Sequence, residues 1–315
     1  MANAQPATPK LEPLLIAGPT ATGKSEVAVL LAEKVSGEIV SVDSMQVYRG
    51  MDIGTAKPSP EVRARVPHHL IDVAEVTEPF DAATFVKLAR EAVAQIQARG
   101  KIPILCGGTG LYFKALLEGL GEAPPSDAAL RAELEAAPLD DLLRELSTRD
   151  PETYERIDRK NPRRVIRAVE VIRLTGKPFS AQRAAWSQTS SVPRQVASPA
   201  FGLSRAPSIL RVRIDTRVEE MFRSGLLAET EALLRKGLAE NKTAMQALGY
   251  RQVVEHFRGE RALPETIELV KLRTRQFARR QMTWFRRQVQ LEWIEITENE
   301  SLSDIAQRLA HRLQS

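Results

Sequence analysis

Residues Gly18-Pro19-Thr20-Ala21-Thr22-Gly23-Lys24-Ser25 fit the spacing G-x-x-x-x-G-K-[ST] without a mismatch. Gly18 and Gly23 let the backbone turn its N–H groups inward without a Cβ clash. Those N–H groups, with the N-terminus of a following helix, make a concave electropositive nest for phosphate oxygens. Lys24 adds a full positive charge, and Ser25 offers a hydroxyl to Mg2+. The loop predicts a bound diphosphate or polyphosphate; it names neither a nucleotide nor a reaction. Asp43 is the second residue with chemistry to offer. It ends the run Glu38-Ile39-Val40-Ser41-Val42, and an acid at a strand end in such a fold sits at the carboxyl edge of the sheet, where ligands bind. Three roles fit that place: a Mg2+ ligand of the Walker-B kind, a general base, or a cap on the next turn.

Elements must exist to hold these residues. Leu14-Leu15-Ile16-Ala17 reads as a buried strand, and residues 26–35 as a helix with an apolar stripe at Val27, Leu30, Leu31 and Val35. Strand, glycine loop and helix are the context a phosphate loop requires. A second strand is predicted to end at Asp43 and a short third over 67–73. A helix follows over 81–99, then a buried strand over 102–106 leading into Gly107-Gly108-Thr109-Gly110, and a helix over 111–120. Alternating strands and helices predict an α/β fold, a P-loop NTPase-like core with a parallel sheet flanked by helices. The texture changes near Gly121, where helix-rich sequence begins. Residues 188–208, rich in Ser, Pro and Gln, read as a linker. Ile209-Leu210-Arg211-Val212-Arg213-Ile214-Asp215 alternates like a strand, and 291–296 reads as a last strand. The expected organisation is a disordered tail over 1–13, a discontinuous core over 14–120 and 206–298, a helical insertion over 121–205 and a C-terminal helix over 299–315.

At 315 residues and 43% hydrophobic, the chain can bury a sizeable core. It has no run of about 18 uncharged apolar residues, so no transmembrane helix is expected. The first residues lack the apolar middle of a signal peptide. The sole cysteine, Cys106, has no internal partner and reads as a core residue; the cytoplasm is the expected compartment. The net charge is +5, unevenly spread. Residues 205–290 carry 18 Lys and Arg against 10 Asp and Glu, and residues 151–183 carry 9 against 4. Two basic stretches, one inside an insertion, favour a nucleic-acid partner. Adjacent His68 and His69 point in different directions and read as structural or mildly substrate-lining; no zinc site is predicted.

The motifs make a longer series. The phosphate loop is followed by Ser41-Val42-Asp43-Ser44-Met45-Gln46-Val47-Tyr48-Arg49-Gly50-Met51-Asp52-Ile53-Gly54-Thr55-Ala56-Lys57-Pro58, then Pro67-His68-His69-Leu70, then Gly107-Gly108-Thr109-Gly110-Leu111-Tyr112. Later come Asn161-Pro162-Arg163-Arg164-Val165-Ile166-Arg167-Ala168, Leu248-Gly249-Tyr250-Arg251-Gln252 and Thr274-Arg275-Gln276-Phe277-Ala278-Arg279-Arg280-Gln281-Met282-Thr283-Trp284. In this order they resemble the tRNA dimethylallyltransferases (tRNA isopentenyltransferases), over about 14–296. The chain lacks the cysteine–histidine cluster of the larger eukaryotic members and resembles the compact bacterial form. Ser25 stands where many relatives carry Thr, and a hydroxyl serves in either case.

The resemblance implies transfer of a dimethylallyl group from dimethylallyl diphosphate to N6 of the adenosine just 3′ of the tRNA anticodon. Gly18 to Ser25 would hold the diphosphate leaving group with Mg2+ at Ser25, and Arg217 would stabilise its developing charge. Asp43 would take the proton of the attacking amine, with Thr109 at the reaction channel. The adenine must leave its stack, and Ser44, Met45 and Gln46 would meet it beside Asp43; Gln46 can pair with adenine's edge. The tRNA anticodon stem-loop would also meet Arg131, Arg163, Arg164, Val165, Ile166 and Arg167 in the insertion. In the core it would meet Gln246, Ala247, Leu248, Gly249, Tyr250 and Arg251, and Arg275, Gln276, Phe277, Ala278, Arg279, Arg280, Gln281 and Met282. Along the last of these stretches Phe277, Trp284 and Leu291 recur every seven residues, which reads as core packing; Arg275, Arg279 and Arg286 share another face. Arg217 reads alternatively as a partner of Glu220 one turn on. A monomer is expected. Three rival readings stand beside it: a P-loop small-molecule kinase with lid arginines at 163, 164 and 167; a prenyltransferase acting on free AMP or ADP, against which the insertion and basic stretches argue; and a non-catalytic RNA-binding module, against which the intact phosphate loop and Asp43 argue.

Overall fold

The computed structural model describes residues 12–121, 123–182 and 199–313. Among these residues six strands form one parallel sheet: β1 Leu14–Ala17, β2 Gly37–Val42, β3 His68–His69, β4 Ile102–Gly107, β5 Ala200–Ser204 and β6 Glu292–Glu295, in the order β3-β2-β4-β1-β5-β6. The helices are α1 Lys24–Val35, α2 Pro60–Arg65, α3 Ala82–Ala98, α4 Gly110–Glu118, α5 Ala128–Ala136, α6 Leu139–Arg149, α7 Pro151–Arg156, α8 Pro162–Thr175, α9 Phe179–Gln182, α10 Pro207–Arg223, α11 Leu226–Arg235, α12 Tyr250–Phe257, α13 Leu263–Gln288 and α14 Leu302–Arg312. The expected α/β architecture is therefore present. Strands β1, β2 and β4 are buried and mostly apolar, as central parallel strands must be, with Glu38 and Ser41 the polar residues of β2.

Register does the positioning. Ala17 of β1 and Val42 of β2 both pair with Gly107 of β4. Three strand ends thus lie level, and the residues after them (the phosphate loop, Asp43, and Gly108-Thr109) emerge together at the carboxyl edge. At Gly18, with φ +139°, a Cβ would meet the carbonyl oxygen of Leu203 at 2.4 Å, so only glycine lets the loop leave β1 beside β5. Beneath this edge, Val27, Ala28 and Leu31 of α1 share a core with Leu14, Ile16, Ile104 and Phe201 of the sheet and Ile305, Ala306 and Leu309 of α14.

Two expectations are corrected. Residues 209–215 belong to helix α10, not to a strand. Pro207 opens the helix, and Leu210, Ile214, Val218 and Phe222 recur every four residues to pack with Val270 and Ala278 of α13. The apparent alternation came from Arg211 and Arg213, which the helix turns away from that stripe. The strand lies earlier, at β5, within the stretch that reads as linker. It pairs with β1 and β6, so residues 200–204 are sheet and not insertion. The rest of that stretch, 188–198, and residues 1–11 of the expected tail fall outside the described residues. The predicted strand over 67–73 shrinks to His68–His69.

The chain divides into two compact units, residues 1–117 with 191–315, and residues 118–190. The second unit is helical, α5 to α9, around Leu134, Leu142, Leu146, Val165, Val169 and Ile172. Its buried Asp150 caps α7 by accepting from the Thr153 N–H at 3.1 Å and from the Ser180 N–H at 2.8 Å. Among the described residues, no helix is long and apolar enough to cross a membrane.

Candidate active site

A cavity of about 220 Å³ opens at the level carboxyl edge of β1, β2 and β4. Lys24, Ser25, Asp43, Arg213, Arg217 and Gln281 all line it. Lys24 and Ser25 stand in the first turn of α1, whose backbone N–H groups have no intrahelical partner and face an incoming anion. Lys24 Nζ donates to the Pro19 carbonyl at 2.6 Å. Burial pushes its pKa down to about 8, Arg217 pushes in the same direction, and Cys106 and Asp43 oppose them. Thr22 Oγ1 also donates to the Pro19 carbonyl, at 3.0 Å, which ties the loop to itself.

Helix α10 supplies two arginines one turn apart. Arg217 Nη1 donates to Thr20 Oγ1 at 3.4 Å, and Arg213 Nε donates to the Ala21 carbonyl at 2.9 Å. Burial, and then Arg213, lower the pKa of Arg217. The alternative pairing of Arg217 with Glu220 does not occur: Glu220 accepts instead from Arg223 and from Ser224 Oγ. Arg213 escaped the sequence reading because a strand was expected there. Its i,i+4 spacing from Arg217 was the available signal.

Helix α13 closes the cavity. Gln281 Oε1 accepts from the Thr20 N–H at 2.9 Å while its Nε2 donates to the Gly108 carbonyl at 2.9 Å. The approach is so close that a Cβ at Gly108 would meet Gln281 Nε2 at 2.3 Å. Gln281, expected to touch tRNA, is buried and joins the phosphate loop to the loop after β4.

Asp43 follows β2. Its Oδ1 accepts from the Met45 N–H at 2.8 Å and the Gln46 N–H at 3.3 Å, and all its hydrogen bonds among the described residues use that oxygen. Thr109 Oγ1 accepts from the Ser44 N–H at 3.0 Å, which pins the loop after β2 to the loop after β4. Gln46 is buried and also lines the cavity, but its amide is engaged within the chain. Its Oε1 accepts from Ser41 Oγ at 2.9 Å and its Nε2 donates to the Thr55 carbonyl at 3.2 Å. Gln46 therefore holds the cavity wall. Among the described residues, no cluster of three His, Cys, Asp or Glu side chains could hold a metal ion.

Residues 52–54, which lead into the wall residues Thr55 and Ala56, have a support that sequence reading missed. The Glu229 carboxylate of α11 accepts from the N–H groups of Asp52, Ile53 and Gly54, at 3.2, 2.9 and 3.4 Å. Tyr250 Oη donates to Glu229 at 2.5 Å and accepts from the Gly54 N–H at 3.1 Å. Burial and then Glu229 push the Tyr250 pKa up. Nothing in the local pattern around Glu229 marks it, since the backbone N–H groups it accepts from lie 175 to 177 positions away in the chain.

Several of the residues expected at tRNA are buried within the chain. Val165 and Ile166 pack in the core of the helical unit, and Ala247, Gly249, Tyr250 and Ala278 are buried in the α/β unit. Arg131 and Arg167 turn inward to the fully buried Glu170, at 2.9 and 2.7 Å, a carboxylate that also accepts from Ser126 Oγ at 2.5 Å. Arg275 pairs with Asp215 through two bonds of 2.7 and 2.6 Å. Arg163, Arg164, Gln246, Arg251, Gln276, Arg279 and Arg280 are exposed, while Ser44, Met45, Leu248 and Met282 are half-buried. Phe277, expected in the core, is 37% exposed and lines the cavity. The seven-residue spacing ends in the core only at Leu291, while Trp284 lies against Gly110. His69 Nε2 meets Glu38 at 2.7 Å and His68 Nδ1 the Val66 carbonyl at 2.7 Å, both structural.

Known proteins resemble this chain in sequence and fold. The family profile described as IPP transferase matches residues 46–288. The tRNA dimethylallyltransferase 2 of Geotalea uraniireducens is 45% identical over 294 residues, covering 92% of this chain and 94% of that protein. The tRNA dimethylallyltransferase of Geobacillus thermodenitrificans is 42% identical over 295 residues, covering 92% of each. The crystal structure of a full-length tRNA isopentenylpyrophosphate transferase from Bacillus halodurans superposes with a TM-score of 0.70 at 37% identity, covering 97% of both chains. A eukaryotic dimethylallyltransferase acting on tRNA gives a TM-score of 0.78 at 27% identity, covering 95% of this chain and 77% of the other. With a P-loop NTPase-like core, an acid facing its phosphate loop, and similarity along nearly its whole length, the chain belongs to the IPP transferase family, the tRNA dimethylallyltransferases.

Proposed function

We propose that this protein transfers the dimethylallyl group of dimethylallyl diphosphate to N6 of the adenosine 3′ of the anticodon in tRNA, releasing diphosphate. One observation carries the reading: Asp43 and the cationic phosphate loop line the same cavity. An acid on one side and Lys24, Arg213, Arg217 and the α1 N-terminus on the other suit a reaction that strips a proton while an anion departs.

The loop N–H groups and Lys24 bind the diphosphate. Arg217 takes up negative charge as the C–O bond breaks and both its electrons leave with the diphosphate. Stabilisation of this kind is worth roughly 3–4 kcal/mol per well-placed donor. The N6 lone pair, delocalised into the purine, forms the C–N bond as the amine loses a proton. Asp43 Oδ2 is the oxygen available to take it, because Oδ1 is held by the turn. Thr109 fixes Asp43 through the Ser44 N–H.

The donor set suits Mg2+, which Ser25 Oγ would hold beside the oxygens of the substrate. Mg2+ commonly takes only one or two protein ligands beside phosphates, and Ser25 lines the cavity where no acidic trio stands. When bound, Mg2+ neutralises charge on the diphosphate.

The exposed arginines, Arg163 and Arg164 in one unit and Arg251, Arg279 and Arg280 in the other, are the proposed contacts to tRNA phosphates. We place the enzyme in the cytoplasm, acting as a monomer. The test is incubation of the full chain with unmodified tRNA, Mg2+ and dimethylallyl diphosphate, followed by mass analysis of tRNA nucleosides. A dimethylallyl-sized gain on adenosine is expected. Transfer to AMP or ADP but not tRNA, or phosphoryl transfer from ATP instead, would overturn the reading.

A further inference from the structure

The cavity wall is polar almost throughout. Beside Lys24, Glu26, Asp43, Gln46, Arg213, Arg217 and Gln281 it presents hydroxyls, glycines and the small side chains of Ala21, Ala56 and Cys106. Phe277 is the only aromatic among the described lining residues. It lies one helical turn before Gln281 on α13, so both side chains leave the same helix face. Ala278 beside it packs against Ala21, Ile214 and Val218, which anchors this turn of the helix. The Arg280 guanidinium lies 5.9 Å from the ring centroid and helps fix the ring. Phe277 is 37% exposed and lines a charged cavity, so an apolar group seated there would take ring surface out of water.

We propose that Phe277 covers the allylic group of the prenyl diphosphate, shields the reacting carbon from water and limits the length of chain the site accepts. This rests on the prenyl transfer proposed above. As the allylic C–O bond breaks, its electron pair leaves with the diphosphate and positive charge grows on the five-carbon group. The N6 lone pair then forms the C–N bond, and the N6 proton passes to Asp43. A ring face attracts that positive charge, and the ring's bulk excludes the water that would otherwise capture the carbon. No other described lining residue offers both.

The test compares the full-length wild type with Phe277→Tyr, Phe277→Leu and Phe277→Ala. Single-turnover transfer from dimethylallyl and geranyl diphosphates is measured, with water capture of the prenyl group, tRNA affinity and thermal stability. Phe277→Tyr is expected to keep the wild-type rate. Phe277→Leu is expected to lose roughly tenfold in transfer, as removal of a ring–cation attraction predicts, with tRNA affinity unchanged. Phe277→Ala is expected to shift preference toward the geranyl donor by about tenfold and to raise the fraction captured by water. Weakened tRNA affinity with unchanged donor preference would place the ring against the flipped base and overturn the proposal. Unchanged transfer and preference in all three variants would also overturn it. A wild type that transfers no prenyl group overturns the reaction itself, a result distinct from an active wild type with indifferent variants.

Discussion

The side chain of Gln281 accepts a hydrogen bond from the backbone N–H of Thr20 at 2.9 Å, and through its other end holds the Gly108 carbonyl at the same distance. One buried amide thereby sets the spacing between the phosphate loop and the loop that carries Thr109. Gln281→Ala leaves a donor and an acceptor unpaired, at about 1–3 kcal/mol for each buried group. A lower melting temperature and a roughly tenfold or greater loss of kcat/KM for the prenyl diphosphate are expected, with tRNA affinity retained. Steady-state kinetics beside calorimetry check this; wild-type kinetics would show that the bridge positions nothing.

Lys24 sets a pH limit. Burial puts its pKa at about 8, so its charge is present below that pH and lost as pH rises through it. KM for the prenyl diphosphate is expected to climb above about pH 8, and Lys24→Ala to remove that limb. Unfolding does not explain the climb. An unfolded lysine stays protonated to about pH 10.4, so between these values the unfolded state binds more protons and this group's contribution to stability rises with pH. Thermal melts across pH 7–9.5 separate the two effects.

Arg217 faces the phosphate loop from α10, while Arg213 is tied to the Ala21 carbonyl. Arg217→Ala is expected to lower kcat by about 10² to 10³, the scale of a missing donor to developing charge. Arg217→Lys should recover only part, because the ammonium lacks the planar fork. An effect confined to KM would mean that Arg217 binds ground and transition states alike.

The burial pattern divides the arginines. Replacing exposed Arg279 and Arg280 with alanine is expected to make the salt slope of tRNA binding shallower by about one for each phosphate left without its arginine. Arg131→Ala and Arg167→Ala are expected instead to destabilise the helical unit, since each leaves Glu170 short of a partner. Filter binding across a salt series and melting curves distinguish these outcomes.

The parts of the site legible in sequence were those made of consecutive residues. The phosphate loop, Asp43 and Thr109 each follow a buried strand, and parallel register brings strand ends together. Residues whose role depends on a distant partner were not legible. Glu229 looks like any surface acid until 52–54 folds onto it. Arg131 and Arg167 look like a basic surface until Glu170 is buried between them. Strand β5 was hidden because Phe201-Gly202-Leu203 is short, holds a glycine and adjoins polar sequence, so only pairing with β1 and β6 makes it a strand. In α10 the arginines produced a false alternation, although Leu210, Ile214, Val218 and Phe222 already carried the helical period.

The most direct test of the central claim is the single-turnover rate of prenyl transfer by Asp43→Asn, with tRNA and prenyl diphosphate both saturating. The substitution keeps an acceptor oxygen for the Met45 and Gln46 N–H groups and removes the carboxylate as proton acceptor. Transfer is expected to fall by about 10² to 10⁴, the usual scale of a general base, with both affinities unchanged. A rate within a few-fold of wild type, at unchanged affinities, would contradict it.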